Sequence, residues 1–145
     1  MKKPTEEQIE EIAEWLECGL KSYFNLKTGE IKTLPDFENQ IFCDREIWEE
    51  EAEDIRENPD DYIEFEELGS REEFRIMADF AKSIPESELK NELIRALNRP
   101  KPFRNFKSLI DCSGNYRKKW FDFKKQSYIE AVKEQWKWEM ENLEE

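Results

Sequence analysis

Apolar residues recur every three or four positions along most of this chain, and charged residues fill the positions between them. The first such stripe consists of Ile9, Ile12, Ala13 and Leu16. This spacing is typical of a helix that buries one face. Aromatic residues make up 13% of the sequence, which is enough for a core although 41% of the residues are charged. The pattern therefore predicts a folded, mostly helical protein.

Two capping boxes and several helix breakers mark where the helices begin and end. Thr5-Glu6-Glu7-Gln8 predicts the start of the first helix, and Ser70-Arg71-Glu72-Glu73 predicts the start of a later one. Pro85 suits the first turn of the following helix, where its missing N–H has no cost. Two further helices are predicted over about 103–112 and 115–143. The apolar stripes predicted for these four helices are Phe74, Met77, Ala78 and Ala81; Leu89, Leu93, Ala96 and Leu97; Phe103, Phe106 and Ile110; and Phe121, Tyr128, Val132 and Trp136.

Three segments have the two-residue period of a β-strand instead. Residues 20–26 and 30–34 flank a short loop that contains glycine, which predicts a hairpin. Residues 61–66 alternate in polarity, and a lone hairpin is only marginally stable in water, so we expect this later strand to join it. The two faces of the later strand are Ile63 and Phe65 on one side, and Tyr62, Glu64 and Glu66 on the other.

The segment between the hairpin and the later strand is harder to interpret. Residues 37–43 are ambiguous, with a short strand around 40–42 as one interpretation. Asp44 is placed to cap an acidic helix that ends at Asn58-Pro59. The apolar residues that this helix is expected to bury are Trp48, Ala52 and Ile55.

These elements together predict an α+β fold that is mostly helical. A small antiparallel sheet, made of the hairpin and the one later strand, is expected to pack with about five to six helices. No internal repeat, low-complexity linker or change of composition marks a second domain, so we predict a single domain over 1–145. Its residues 1–69 would hold the first helix, the hairpin, the acidic helix and the strand, and residues 70–145 the helical C-terminal part.

The absence of histidine removes much of the catalytic repertoire. Ser-His and Cys-His nucleophile pairs and imidazole metal ligands are excluded, as is the commonest general base near neutral pH. Cys18, Cys43 and Cys112 are too far apart to indicate a disulfide framework or a zinc site. Cys112 has a basic neighbourhood that could lower the pKa of its thiol, although we expect it to be packed and inert. No motif predicts a catalytic residue or a cofactor site.

The charges are unevenly distributed along the chain, which has a net charge of −13. Residues 44–73 contain fifteen acidic residues against three arginines, and residues 95–125 contain ten basic residues against two aspartates. Runs of this kind are usually solvated faces of amphipathic elements. The basic run could also neutralise the acidic run, in the same molecule or in another copy, which would favour the rate and orientation of association.

The basic run is interleaved with aromatic residues, and it provides the candidate interaction surface. Basic side chains beside aromatic faces are typical of single-stranded nucleic-acid binding, since phosphates pair with charge and bases stack on rings. The acidic net charge disfavours a polyanion, and the aromatic residues at helical spacing are expected to be core. The candidate residues are Arg99, Arg104, Lys107, Arg117, Lys118, Lys119 and Trp120.

The acidic run could in principle bind a hard cation such as Mg²⁺ through oxygen ligands. It lacks the ligand spacing of an EF-hand, however, and the sequence has no Gly-rich phosphate loop and no nucleophile elbow. With 36 acidic residues, some pair of carboxylates will always lie close together, so carboxylate-dependent hydrolysis is an undirected hypothesis.

Three segments carry a family resemblance. They are Ser70-Arg71-Glu72-Glu73-Phe74-Arg75-Ile76-Met77-Ala78-Asp79-Phe80, Pro102-Phe103-Arg104-Asn105-Phe106-Lys107 and Trp120-Phe121-Asp122-Phe123. Together with the hairpin segments Thr28-Gly29-Glu30 and Leu34-Pro35-Asp36, they resemble uncharacterised protein family 0158, a bacterial family of small acidic proteins. The resemblance covers about residues 19–136 and implies a bacterial cytosolic protein. Since that family has no assigned activity, cofactor or catalytic residue, the resemblance implies no site residue.

Function is therefore predicted only by class. The leading hypothesis is a non-enzymatic protein-interaction or regulatory module that docks a protein partner or a second copy of itself. The alternative is a nucleic-acid-associated protein that uses residues 99–125, and the third is a metal-dependent or carboxylate-dependent hydrolase. No apolar run approaches the roughly 18 residues of a membrane span, and the first residues do not resemble a secretory signal, so we expect a cytoplasmic protein.

Overall fold

A computed structural model of the chain describes residues 1–35 and 45–143. These residues form six α-helices, three strands and one short 3-10 helix, which confirms the predicted α+β, mostly helical class. The elements in chain order are α1 (Glu6–Glu17), β1 (Leu20–Asn25), β2 (Ile31–Pro35), α2 (Arg45–Glu57), the 3-10 helix (Pro59–Asp61), β3 (Tyr62–Phe65), α3 (Ser70–Ser83), α4 (Glu88–Leu97), α5 (Pro102–Asp111) and α6 (Asn115–Leu143). The strand considered around 40–42 and the cap predicted at Asp44 lie outside the described residues.

The chain divides into two compact units, which are described separately. Unit 1 consists of Met1–Glu67 and Tyr128–Glu145, and unit 2 is Leu68–Ser127. The predicted boundary after residue 69 lies close to the start of unit 2, but the second part of α6 belongs with unit 1. The single domain over 1–145 stays a prediction, since compact units of one chain need not fold independently.

Unit 1 is built on the antiparallel sheet that the sequence predicts. The strand order is β2-β1-β3, so that the later strand pairs with β1 as expected. Phe24 lies opposite Ile31 on β2 and opposite Ile63 on β3, and its ring is fully buried. It meets the indole of Trp136 edge-on at a centroid distance of 5.5 Å. This face of the sheet is therefore part of the core of unit 1.

Local signals set the boundaries of α1 as predicted. The Thr5 hydroxyl accepts from the Gln8 N–H, and the Gln8 side chain accepts from the Thr5 N–H, which completes a capping box. Gly19 then leaves the helix at φ +82°, a conformation that side chains disfavour. The apolar stripe of α1, which begins at Ile9, is buried as predicted.

Helix α2 packs on the other face of the sheet, and two predictions fail there. Tyr62 was expected on a polar face but is only 8% exposed, and its hydroxyl donates to Asp54 of α2. Trp48, Ala52 and Ile55 are half-buried rather than buried. An ion pair between Lys32 Nζ and Asp54 Oδ2, at 2.7 Å, anchors the helix to β2. Polar contacts as well as the half-buried apolar stripe therefore join α2 to the sheet.

Unit 2 contains α3, α4, α5 and the first part of α6, and it corrects two predicted helix starts. Ser70 is the first residue of α3 rather than its cap, since Gly69 is the N-cap and no side chain caps the helix. Pro85 lies outside α4, whose N-cap is Ser87, with a hydroxyl that accepts from the Lys90 N–H. An N-cap needs an extended backbone, which Gly69 and Ser87 both have.

The buried face of α3 is also rotated from the prediction. Ile76 and Phe80 are buried with Met77 and Ala81, whereas Phe74 and Ala78 are half-buried. The predicted stripe of α4 holds, since Leu93, Ala96 and Leu97 are buried and Leu89 is half-buried. None of the helices in the described part of the chain is long and apolar enough to cross a membrane.

Candidate binding groove in unit 2

An aromatic cluster forms the centre of unit 2, and Trp120 of α6 lies in it. The Trp120 ring contacts Phe80 at 5.3 Å and Phe106 at 4.9 Å between centroids, both in edge-to-face geometry. Only 8% of the Trp120 surface is exposed. The Trp120 ring is therefore used mainly in packing, and its assignment to the interaction surface stays a prediction.

A groove of about 510 Å³ opens above this cluster, between α3, α5 and the start of α6. Its floor is apolar and includes Phe106, Ile110 and Trp120, which are buried, together with Met77 of α3. Two aromatic side chains at its edge are open to solvent: Phe103 is 44% exposed and Phe121 is 48% exposed. The groove therefore offers both a hydrophobic floor and uncovered aromatic rings.

Both exposed rings contradict the predicted apolar stripes. Phe103 was assigned to the core stripe of α5, and Phe121 to that of α6. Phe121 follows Trp120 directly, and neighbouring residues on a helix point about 100° apart, so a narrow buried stripe that holds Trp120 leaves Phe121 at its edge. The sequence signal that could have found this is the adjacency of two large aromatics, only one of which fits inside a narrow stripe.

Three cations line the same groove. Lys107 comes from α5, and Arg117 and Lys124 come from α6, where they are seven residues apart and so on one face. Arg117 Nε lies 3.4 Å from Asp111 Oδ1, and its guanidinium lies 4.9 Å from the centroid of the Phe121 ring. Within the part of the chain that the structure describes, neither Lys107 nor Lys124 makes an ion pair.

The structure separates the remaining predicted site residues from this groove. Arg99 lines a different hollow of about 430 Å³, between α4 and α5, together with Arg95 and Asn105. Arg104, Lys118 and Lys119 are exposed, and the Lys119 ammonium lies 4.8 Å from the Tyr116 ring. Of the seven candidates, the structure thus brings Lys107, Arg117 and the buried Trp120 together, and it adds Lys124, Phe103 and Phe121, which the prediction missed.

The two compact units carry net charges of opposite sign, as the acidic and basic runs of the sequence do. Unit 2 carries fourteen basic residues and eight acidic ones, a net charge of +6. Unit 1 carries nine basic and 28 acidic residues, a net charge of −19. Glu73 and Asp111 also line the groove, so its positive rim is interrupted by two carboxylates.

The acidic run lies in unit 1 and forms its own open hollow. Lys32 and five acidic residues of α2 line this hollow: Glu50, Glu51, Glu53, Asp54 and Glu57. Hydrogen bonds from Lys32 and Tyr62 hold the pKa of Asp54 below its ordinary value. The described residues contain no group of three or more carboxylates and thiols arranged to hold a metal ion.

The thiols are more open than expected. Cys18 and Cys112 are both exposed, so the prediction that Cys112 is packed is wrong. It follows the last residue of α5, where the chain leaves the helix. Cys43 lies outside the described residues.

Comparison with known proteins gives one match. The model of an uncharacterised protein family (UPF0158) matches residues 9–142, which confirms the resemblance carried by the three sequence segments. No curated protein and no solved structure matches the chain.

Proposed function

The chain belongs to an uncharacterised protein family (UPF0158), and from its own surface we propose that it is a non-enzymatic module that binds an acidic segment of a protein partner. The groove of unit 2 is the proposed binding site. The observation that carries this proposal is the pair of exposed rings, Phe103 and Phe121, over an apolar floor with cations at the rim.

An apolar floor with a charged rim suits a peptide segment that has both features. Specific protein interfaces place aromatic or aliphatic anchors in a desolvated centre and surround them with polar contacts. A partner side chain that enters the groove would bury apolar surface against Phe106 and Trp120. Carboxylates beside that anchor would then pair with Lys107 and Lys124, which have no acidic partner in the described structure.

The electrostatics favour a protein segment over a nucleic acid. A net charge of −13 repels a polyanion outside the contact zone. A protein segment brings only a few carboxylates, so that it gains the local attraction of the rim with less long-range repulsion. Uneven charge of this kind raises the association rate and sets the orientation more than it adds affinity.

A defined peptide tests the proposal. The probe is a labelled helical peptide with one Trp flanked by glutamates four residues before and three residues after it, titrated by fluorescence anisotropy. We expect saturable binding that weakens with salt, and a dissociation constant about tenfold higher for Phe103→Ala, since truncation of an aromatic anchor costs more than about 1 kcal/mol.

Lys107→Glu and Lys118→Glu form a matched pair for the same titration. Both lysines are exposed, and both substitutions change the net charge by the same amount, but only Lys107 lines the groove. Binding should weaken clearly in Lys107→Glu and little in Lys118→Glu. Equal effects of the two substitutions, or no binding of the peptide at low salt, would contradict the proposal.

One observation supports the nucleic-acid alternative as a second candidate. That function needs at least two uncovered aromatics beside unpaired cations, and Phe103 and Phe121 are uncovered. Titration into labelled single-stranded RNA and duplex DNA, at low and physiological salt, separates the two functions. Steeply salt-dependent binding that vanishes when Arg104, Lys107, Arg117 and Lys118 are neutralised would favour nucleic acid, and no binding at low salt would reject it.

A further inference from the structure

The C-terminal part of α6 presents a surface that is chemically complementary to the groove. Trp136 is buried at 9% exposure, whereas Trp138 is 60% exposed, the most open of the aromatic side chains in the described residues. Glu134 and Glu141 are exposed as well. Glu134 lies four residues before Trp138, and Glu141 lies three residues after it. All three side chains therefore share one face of the helix.

We propose that the groove of unit 2 takes Trp138 from a second copy of this chain, with Glu134 and Glu141 of that copy beside the cations of the rim. This inference rests on the proposed function and names its partner. Trp138 is more open than Trp15, the other exposed indole in the described residues, and Trp is enriched among the residues that dominate interface energies. The surface thus has an aromatic anchor, and the groove has an apolar floor.

The two surfaces also carry opposite charges, with cations in the groove and carboxylates beside Trp138. Lys107 of α5 and Lys124 of α6 both line the groove, and neither has an ion-pair partner in the described residues. Glu134 and Glu141 also make no ion pair within those residues. If the two surfaces join, these glutamates can form ion pairs with these lysines, although the molecule as a whole carries a net charge of −13. Association of two acidic molecules through opposed local patches should depend on ionic strength, because salt weakens the pairs.

Analytical ultracentrifugation over a range of concentrations tests the inference directly. The wild-type chain should self-associate reversibly, and Trp138→Ala should raise the dissociation constant by about tenfold or more. Trp15→Ala is the matched control, because Trp15 is 38% exposed on the acidic helix α1 and should not matter. A wild-type chain that stays monomeric at every concentration, or equal effects of the two substitutions, would overturn the inference.

A charge exchange identifies the two surfaces. One variant carries Glu134→Lys and Glu141→Lys, and the other carries Lys107→Glu and Lys124→Glu. Each variant alone places like charges together and should be monomeric, whereas an equimolar mixture should associate, since each groove then meets an oppositely charged helix. A mixture that fails to associate, or an association that survives in either variant alone, would place any interface elsewhere.

The result also distinguishes this inference from the function on which it rests. If the groove binds the acidic Trp peptide but the chain is monomeric, the groove binds another protein and the inference of self-association is wrong. If the peptide does not bind, the groove is not a protein-binding site and both proposals fail. Circular dichroism of each variant confirms that the fold is retained.

Discussion

Two neighbouring side chains of β1 point to opposite faces of the sheet, and they differ in burial and in hydrogen bonding. Ser22 is fully buried, and within the described residues its hydroxyl has no hydrogen-bond partner. A buried hydroxyl without a partner costs roughly 1–3 kcal/mol. Its neighbour Tyr23 is half-exposed and donates to Glu64 Oε1 at 3.2 Å.

The unpaired hydroxyl predicts that Ser22→Ala is tolerated. Removal of the oxygen relieves the desolvation cost and leaves only a small void, so the free energy of unfolding should stay unchanged or rise by about 1 kcal/mol. Urea denaturation measures this change. A loss of more than about 1 kcal/mol would instead show that the hydroxyl is bonded in solution.

The surroundings of Tyr23 predict a pH effect. Burial, followed by the neighbouring Glu64 carboxylate, raises the pKa of Tyr23 to about 12, while Lys21 acts in the opposite direction and Glu66 adds to the rise. Because the pKa is higher in the folded than in the unfolded chain, the protonated phenol stabilises the fold. This contribution is complete below the unfolded pKa of about 10 and is lost as the pH rises towards the folded value.

Removal of the Glu64 charge tests the cause. In Glu64→Gln, the pKa of Tyr23 should fall but stay above its ordinary value, because burial remains. The phenolate absorbance of the wild-type chain, minus that of Tyr23→Phe, isolates this titration from the other tyrosines. An unchanged pKa in Glu64→Gln would mean that burial alone sets it.

At the scale of the elements, two helix starts with a serine make different contributions. The Ser87 hydroxyl caps α4 by accepting from the Lys90 N–H at 3.2 Å, whereas Ser70 lies inside α3. Ser87→Ala should therefore lower the free energy of unfolding by about 1 kcal/mol, the usual cost of losing an N-cap. Ser70→Ala should cost much less, since no cap is lost. Thermal and urea denaturation of both variants compare the two directly, and equal losses would be inconsistent with Gly69 as the cap.

Helix α6 belongs to both compact units, and a different set of its residues is buried in each. In unit 2 it buries Trp120 and exposes Phe121, and in unit 1 it buries Tyr128, Val132 and Trp136. Trp138 then lies outside. The start of α6 follows from Gly114, at φ +67°. Which aromatic faces inward depends on the helices packed against each turn.

At the scale of the molecule, the segregation of charge should make stability depend on salt unevenly. Unit 1 has a net charge of −19 and repels itself, whereas unit 2 has +6. Screening by added salt should relieve this repulsion most in unit 1. We expect amide hydrogen exchange in α1 and β1 to slow several-fold between low and physiological salt, and exchange in α4 to change less. Equal slowing in both units would argue against self-repulsion as the cause.

The sequence alone determined the types of the elements and most of their limits. The capping box at Thr5, the glycine at 19 and the alternation of residues 61–66 act through neighbours in the chain, so they can be read without the fold. The α+β class followed from the same local signals, whereas the family membership was indicated by the resemblance of three longer segments. Predictions failed where two local signals competed, as at Ser70, which follows the N-cap Gly69, and at Pro85, which lies two residues before the N-cap Ser87.

Only the tertiary structure decided which aromatic residues form the core and which form a surface. Helical spacing confines the buried stripe to a sector of roughly 100°, and residues at its edges can point either way. Phe103, Phe121 and Trp138 are such residues, and packing by neighbouring helices left all three exposed. The groove of unit 2 also joins side chains from α3, α5 and α6 that are far apart in sequence. A site assembled from separate helices exists only after they pack, which is why the chain by itself predicted two of the three cations, Lys107 and Arg117, and missed the rings beside them.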